Sequence, residues 1–406
     1  MSPQKKVLII GGGASGIFAA IHHQSQHPND QVLVIEKGKK CLQKVKISGG
    51  GRCNVTHNCK DPKQLCEYYP RGQKELLGPF HQWGPEQTMQ WFDDHGVPLK
   101  TEADGRVFPV SNQSQSIINC LLQKAHSLGI TIQKGTQVLD IKKIGPQFHI
   151  QLNDNHTLRA DKLILATGSN PATMTWCKTL GHTIVPPVPS LFSFKINDHA
   201  LCQLSGLSVL ATQIQLNGQA HPDIRPLLIT HWGLSGPAII VLSSLYAIPL
   251  HQAQYRAKIH INWLAHYEQD DILKQLKEQA QKSPKKQLKS QSPFPELPLR
   301  LWSYLCQKSG VSSKLTWHQQ SQKSIQRLAQ TLQHCPLQVN GRGTFKDEFV
   351  TCGGVSLKEI DFKRMESKLC KGLYIVGELL NIDAVTGGFN FQNAWTTGYI
   401  AGQQSA

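Results

Sequence analysis

The sequence predicts an α/β chain in which a parallel sheet wound by helices is interrupted by a β-rich segment that itself holds a helical stretch. Three observations predict it. Apolar strand-like runs followed by glycine turns and small-residue helices occur at both ends of the chain, a Pro-rich turn then leads into short alternating strands, and from Asp270 the pattern changes to helical periodicity. At 406 residues the chain exceeds one ordinary domain and suits two or three.

The N-terminal elements come first. "KKVLIIGGGASGIFAAIHHQ" (5–24) opens with the apolar run Val7 to Ile10, turns at Gly11, Gly13 and Gly16, and continues as a small-residue helix beginning at Ala14 and Ser15. "QVLVIEKG" (31–38) supplies a second strand ending in Glu36, 20 residues after Gly16, with Lys37 next. In this G-x-G-x-x-G spacing the first glycine makes the tight turn, the second lets backbone approach a pyrophosphate, and the third lets helix pack on strand. The carboxylate takes ribose hydroxyls. Strand, glycines, helix, strand and acid in that order predict a Rossmann-like dinucleotide-binding domain.

Related signals recur far away. "KLILATGS" (162–169) is an apolar strand ending in Ala166, Thr167 and Gly168, and residues 371–402 read as a strand, a Gly377-Glu378 turn, a glycine pair ending in Gly388, and a helix that begins at Phe389 and Asn390. This split layout suits FAD, whose ADP half lies on the first βαβ unit while its flavin reaches a helix start from the end of the chain.

After "GHTIVPPVPSLFSF" (181–194) come strands such as "LSVLATQIQLNG" (207–218) and "AQYRAKIHINW" (253–263), then helices in "DDILKQLKEQAQKS" (270–283) and "KSIQRLAQTLQHCP" (323–336). These patterns support the division that the family resemblance given below implies: a discontinuous FAD domain (1–190 and 345–406), an inserted barrel-like β-rich domain (191–262 and 333–344) and a nested helical, basic domain (263–332). That last stretch holds eleven Lys and Arg against five Asp and Glu. Lys282, Lys285, Lys286 and Lys289 either line a nucleic-acid face or form the wet side of helices.

A net charge of +16 and a pI near 9.3 favour polyanionic partners. The eleven cysteines are odd in number and contain no C-x-x-C pair, which argues against a disulfide framework or a zinc ribbon, and no metal site is expected. No stretch approaches the roughly 20 apolar residues of a membrane span. "MSPQKK" runs straight into a strand without a signal-peptide pattern, so the cytoplasm is the expected location.

"KISGGGRCNVTHN" (46–58) crowds glycines against Arg52, Cys53 and Asn54, which implies close approach of something to that backbone. With "SGGGRCNVT", "GRVFPVS" (105–111), "LILATG" (163–168), "LLITHWGLSGPA" (227–238), "TCGGVSLKEID" (351–361), "MESKLCKGLYIVGELL" (365–380) and "TGGFNFQNAW" (386–395), the chain resembles the BaiN-like or YhiN-like bacterial flavoproteins, also called aminoacetone oxidase family FAD-binding enzymes. The likeness covers nearly the whole chain. It implies that Gly51, Arg52 and Asn54 lie along the cofactor, with Arg52 facing phosphate or another anion and Asn54 bonding the flavin or ribityl chain. It also implies a cofactor contact at Val138.

The resemblance further implies reduction of a carbon–carbon double bond conjugated to a carbonyl, with NADH or NADPH as reductant. The acceptor is a steroid-like enone or the 5,6 bond of uracil in large-subunit ribosomal RNA. The charge favours RNA, and dihydrouridine synthesis is the expected reaction. Cys53, His231 and Cys352 are candidate proton donors, with a packed thiol or a hydrogen-bonding histidine as the alternatives. Trp232, Trp395 or Phe389 would stack on the base or belong to the core. An amine oxidase and a noncatalytic FAD-containing RNA-binding factor stay open. Where relatives carry an acid after "GE-x-L", this chain has Asn381, with Asp383 two positions on.

Overall fold

The computed structural model describes residues 4–312, 314–343 and 350–405, and these divide into two compact units, Met1–Val188 with Val350–Ala406, and Pro189–Phe349. The domain boundary expected at 344–345 lies outside the described residues.

The first unit is built on a seven-stranded sheet. Strands Thr131–Lys134, Gln31–Glu36 (β2), Lys6–Ile10 (β1), Lys162–Leu165 and Leu373–Ile375 lie side by side and parallel, followed by the short antiparallel strands Glu366–Ser367 and Ile360–Asp361. β1 is buried from Val7 to Ile10, as a parallel strand covered on both faces must be, which explains its unbroken apolar run. Strand order reverses beside β1. Its carboxyl end is therefore the crevice where an open α/β sheet receives a ligand.

Helix α1, Ala14–Gln26, leaves that crevice, and the C-terminal helix Phe389–Gln403 packs against it. Glycines set how closely they approach. A Cβ on Gly398 would lie 2.6 Å from the Ser15 carbonyl oxygen, and one on Gly402 would lie 2.8 Å from that of Ala19. The two helices thus touch backbone to backbone. Thr397 ties the contact to the glycine turn: its Oγ1 accepts from the Gly377 amide at 3.0 Å and donates to the Asn393 carbonyl at 2.6 Å.

Polar groups close the far end of the pair. Lys162, fully buried, donates through Nζ to the carbonyls of Ala401 and Gln404 at the end of the C-terminal helix, and burial lowers its pKa to about 7. His22 sits in an aromatic box of Phe18, Trp83, Trp91 and Tyr399, with ring centroids 4.5 to 6.2 Å away. Burial pushes its pKa down to about 3.

In the second unit, strands Ser208–Leu216, Arg225–Thr230, Gly233–Ser235, Phe194–Ile196, Cys335–Arg342 and Arg256–Asn262 pair antiparallel in that order. Arg256–Asn262 then pairs back to Ser208–Leu216, closing a barrel with no free edge between them. Helices Gln269–Lys282, Leu299–Lys308 and Gln322–Gln333 lie in the chain between the barrel strands Arg256–Asn262 and Cys335–Arg342. One buried cluster runs from Ile259, Ile261 and Val339 of the barrel to Leu276, Trp302 and Leu328 of the helices. Among the described residues no helix is long and apolar enough to cross a membrane.

Two consequences are measurable. Gly398→Val places branched carbon against the Ser15 carbonyl, so a loss of about 1–3 kcal/mol is expected; an unchanged Tm would show that the helices do not need this proximity. Because the folded pKa of His22 lies below the ordinary 6.5, the unfolded chain takes up its proton first as pH falls. The stability it contributes is complete above about pH 6.5 and is lost towards pH 3, by about 2 kcal/mol between pH 6.5 and 5. Denaturant titrations at these two pH values should show the drop, and His22→Phe should reduce it.

Candidate cofactor site

The glycine turn is held by contacts that admit no side chain. Gly11 has φ +110°, and a Cβ there would lie 2.4 Å from the Ala166 oxygen. One on Gly16 would fall 2.0 Å from the oxygen of Gly11. Gly13 differs, because nothing lies within 4 Å of its Cβ position, which leaves space in front of α1. Ala14 and Ser15 begin that helix, which has no side-chain cap and no acid in its first turn. Its unpaired amides and positive dipole end face that space.

Glu36 is fixed at the end of β2. Its Oε2 accepts from the Gly12 amide at 2.8 Å and its Oε1 from the Gly38 amide at 2.7 Å, and each oxygen keeps a second lone pair for a hydroxyl donor. Lys37 beside it is exposed. Val138 is buried at the start of strand Val138–Ile144. The Ala166 amide donates to the Ile10 carbonyl at 2.8 Å, carrying Thr167 and Gly168 to the same sheet edge as the glycine turn. Glu378 pairs with Lys44 and accepts from the Thr351 amide through Oε1; Lys44 was not singled out in the sequence. Gly377 has φ +67°, and a Cβ there would meet Ser15 Oγ at 2.7 Å.

The 46–58 loop explains its composition. Gly49, Gly50, Gly51 and Cys53 all have left-handed backbones, with φ of 56°, 68°, 84° and 63°. Three glycines accept this without strain; Cys53 does so as part of a turn whose amide donates to the Ser48 carbonyl at 3.0 Å. Gly50 and Gly51 are exposed with open space at their Cβ positions, so the loop backbone is accessible. Arg52 lies over the Phe108 ring at 3.9 Å and pairs with Glu102 at 2.6 Å, so the anion it faces here is a carboxylate of the chain. Arg106 also reaches Glu102, forming a small network that no local sequence signal announces. Asn54 Oδ1 is buried without a hydrogen-bond partner, and a Cβ on Gly388 would lie 2.8 Å from it.

Gly388, with φ +93°, precedes the C-terminal helix, whose first turn likewise has no acid and no side-chain cap. Phe389 is stacked against Tyr68 (4.2 Å, 12°) and against His57 (4.7 Å, 23°), while Trp395 is fully buried and donates from Nε1 to the Val55 carbonyl. Both rings belong to the core, which corrects the expectation that either could receive a base. Asn390 clips the preceding loop, accepting from the Ala384 amide at 3.0 Å and donating to its carbonyl at 3.1 Å. Asn381 accepts from the Gly353 amide, and Asp383 forms a buried ion pair with Arg71.

The three candidate proton donors differ in setting. Burial pushes the Cys53 thiol up to about 12 and the Cys352 thiol up to about 11. His231 belongs to the second unit, exposed on the turn between Arg225–Thr230 and Gly233–Ser235, its ring 4.3 Å from that of half-buried Trp232. Lys282, Lys285, Lys286 and Lys289 are exposed in the second unit, with Lys282 3.9 Å from Glu278. All eleven cysteines are free.

The residues of the first unit fit FAD. Two uncapped helix starts, a carboxylate held at a strand end, an accessible glycine backbone and an unpartnered amide oxygen match a pyrophosphate, a ribose and a ring with an N–H to donate.

The description of the HI0933-like protein Rossmann domain matches residues 5–404. The chain belongs to that family, which is of FAD-binding oxidoreductase type, and its first unit is a Rossmann-type FAD-binding domain. It is similar to a Clostridium scindens protein named 3-dehydro-bile acid delta(4,6)-reductase, with 27% identity over 413 residues and 99% of each chain covered. It is also similar to the ribosomal RNA dihydrouridine synthase of Escherichia coli K12, with 29% identity over 406 residues covering 98% of this chain and 96% of that one. The structure of 3-ketosteroid-delta4-(5alpha)-dehydrogenase from Rhodococcus jostii RHA1 shares the fold, with a TM-score of 0.52 and 13% identity over 99% of this chain and 96% of that one.

The Cys53 thiol should resist alkylation by iodoacetamide at pH 8 in the native chain and react once the chain is unfolded, since the thiolate is the reactive form. Rapid native labelling at Cys53, mapped by peptide mass, would contradict the burial described here.

Proposed function

We propose that this member of the HI0933-like family uses NADH or NADPH to reduce, through FAD, the uracil 5,6 bond of a uridine in large-subunit ribosomal RNA. The observation that carries the reading is the net charge of +16, for which a steroid-sized pocket gives no reason and a structured RNA does. The name of the Escherichia coli relative supports the same substrate. Such a substrate places the chain in the cytoplasm.

When bound, FAD supplies hydride transfer to an electron-poor carbon. The rest falls to the chain. First-turn amides of α1 hold the pyrophosphate, Glu36 takes the ribose hydroxyls, and Asn54 accepts from the flavin or ribityl chain. Among the proposed acids, burial raises the thiol pKa of Cys53 and of Cys352, and the His231 ring is exposed. The proton delivered to C5 of the base is assigned to this set of candidates, Cys53, Cys352 and His231. Trp232 beside His231 is the remaining candidate to stack on the base. Lys282, Lys285, Lys286 and Lys289 are assigned to RNA phosphates.

The second reading, reduction of a small-molecule enone, is favoured by the name of the Clostridium relative. Salt dependence separates the two, because phosphate contacts weaken steeply with salt and an apolar pocket does not.

Mass analysis of ribosomal RNA from a strain lacking this chain is expected to show one dihydrouridine missing, restored by the wild-type gene; if every dihydrouridine remains, the RNA reading fails. Replacing Lys282, Lys285, Lys286 and Lys289 together by Gln should weaken RNA binding at least about tenfold at low salt and flatten its salt dependence.

A further inference from the structure

The first unit contains a cavity of about 510 Å³ beside the end of β2, and the reading above makes no use of it. Its lining includes the exposed Lys39, Lys40, Lys46 and Lys134 and, among apolar residues, Ile118, Leu122 and Ile132. None of the four lysines forms an ion pair with a described carboxylate. Glu36, the acid nearest in sequence to Lys39 and paired in register with Lys134, forms no ion pair with either and accepts from the amides of Gly12 and Gly38.

The cavity lining includes none of Gly11, Gly13, Gly16 and Glu36. Cys41, one of its lining residues, has its sulfur 2.7 Å from the Cβ position of Gly12, whereas the open space of the cofactor site is at Gly13. A solvated lysine face has no need of an apolar recess. Four lysines without ion pairs around one cavity suit a polyanion, and its isoleucine and leucine lining suits a weakly polar body attached to it. A recess of this volume suits one small molecule. An RNA backbone would instead follow an open groove.

We propose that this cavity is a second ligand site, distinct from that of FAD, which binds a nucleoside carrying two or more phosphate groups, with the phosphates on the lysines and the base against the isoleucine and leucine lining. The inference does not rest on the RNA reaction proposed above.

The full-length chain, saturated with FAD, would be examined by equilibrium dialysis against ADP, inorganic pyrophosphate and a short oligoribonucleotide. ADP should bind saturably, and pyrophosphate at least about tenfold more weakly because it cannot use the apolar lining. The triple substitution K39Q/K40Q/K134Q should weaken ADP binding at least about tenfold while bound FAD, read from its visible absorption, stays unchanged. These lysines are exposed, so folding should not suffer. Three results would each overturn the proposal: no saturable ADP binding to the FAD-loaded chain, equal binding of pyrophosphate and ADP, or loss of FAD together with ADP in the triple variant. Oligoribonucleotide binding that the triple variant loses, without ADP binding, would also overturn it and make these lysines part of an RNA surface.

Discussion

The closeness of two helix backbones governs the first unit. α1 starts at the glycine turn and Phe389–Gln403 ends the chain, yet Gly398 and Gly402 let the second lie against the carbonyls of Ser15 and Ala19. One turn of helix separates the two glycines, so both fall on the same face. Contact at this distance couples the N-terminal βα unit to the segment from Gly377 to Gly388 through the Thr397 hydrogen bonds. Without it, the two uncapped helix starts would have no fixed relation, and the acid at Glu36 and the amide at Asn54 could not serve one long ligand.

Several buried polar groups support that frame without being part of its chemistry. Ser367, His182 and Glu359 form a chain in which the hydroxyl lies 2.9 Å from Nε2 and the carboxylate 3.0 Å from Nδ1, the distances of a hydrolytic triad. The oxygen of Ser367, however, also accepts from the amides of Leu369 and Cys370 at 3.1 and 2.8 Å. With its lone pairs engaged and its proton directed at the imidazole, the hydroxyl stabilises a turn and has none free for attack on a carbonyl. Arg71 and Asp383 act in a comparable way. Their buried pair anchors the loop before Gly388, and removing one member would leave the other as an uncompensated charge.

What the sequence disclosed followed from how strictly the backbone dictates residue type. The Gly11, Gly13 and Gly16 spacing and the acid at Glu36 were legible because positive φ, close approach and a ribose-binding carboxylate leave few choices. The glycine run at 49–51 was legible as an accessible backbone for the same reason. Partnerships over long separations were not. Arg52 could be read as facing an anion, but nothing local says that Glu102, fifty positions on, supplies it. Phe389 and Trp395 looked like platforms because aromatic rings near a helix start can be either exposed or packed, and only Tyr68, His57 and Val55 decide the matter. Asn381 and Asp383 illustrate the same limit: the apparent loss of an acid is a neutral clip to Gly353, with the charge two residues later committed to Arg71.

The same distinction bears on the conspicuous cysteine of the glycine loop. Cys53 follows three left-handed glycines and adopts that conformation itself, with no exposed surface. A side chain in this position must be small and must tolerate an apolar enclosure, and a thiol does both, whereas a serine hydroxyl would demand a further partner. Burial lifts the thiol to about 12 despite a hydrogen bond from the Ser48 side chain, so losing its proton would leave a poorly solvated thiolate. The loop therefore needs Cys53 for its shape. Burial at this depth disfavours release of the thiol proton, and the accessible part of the loop is its glycine backbone.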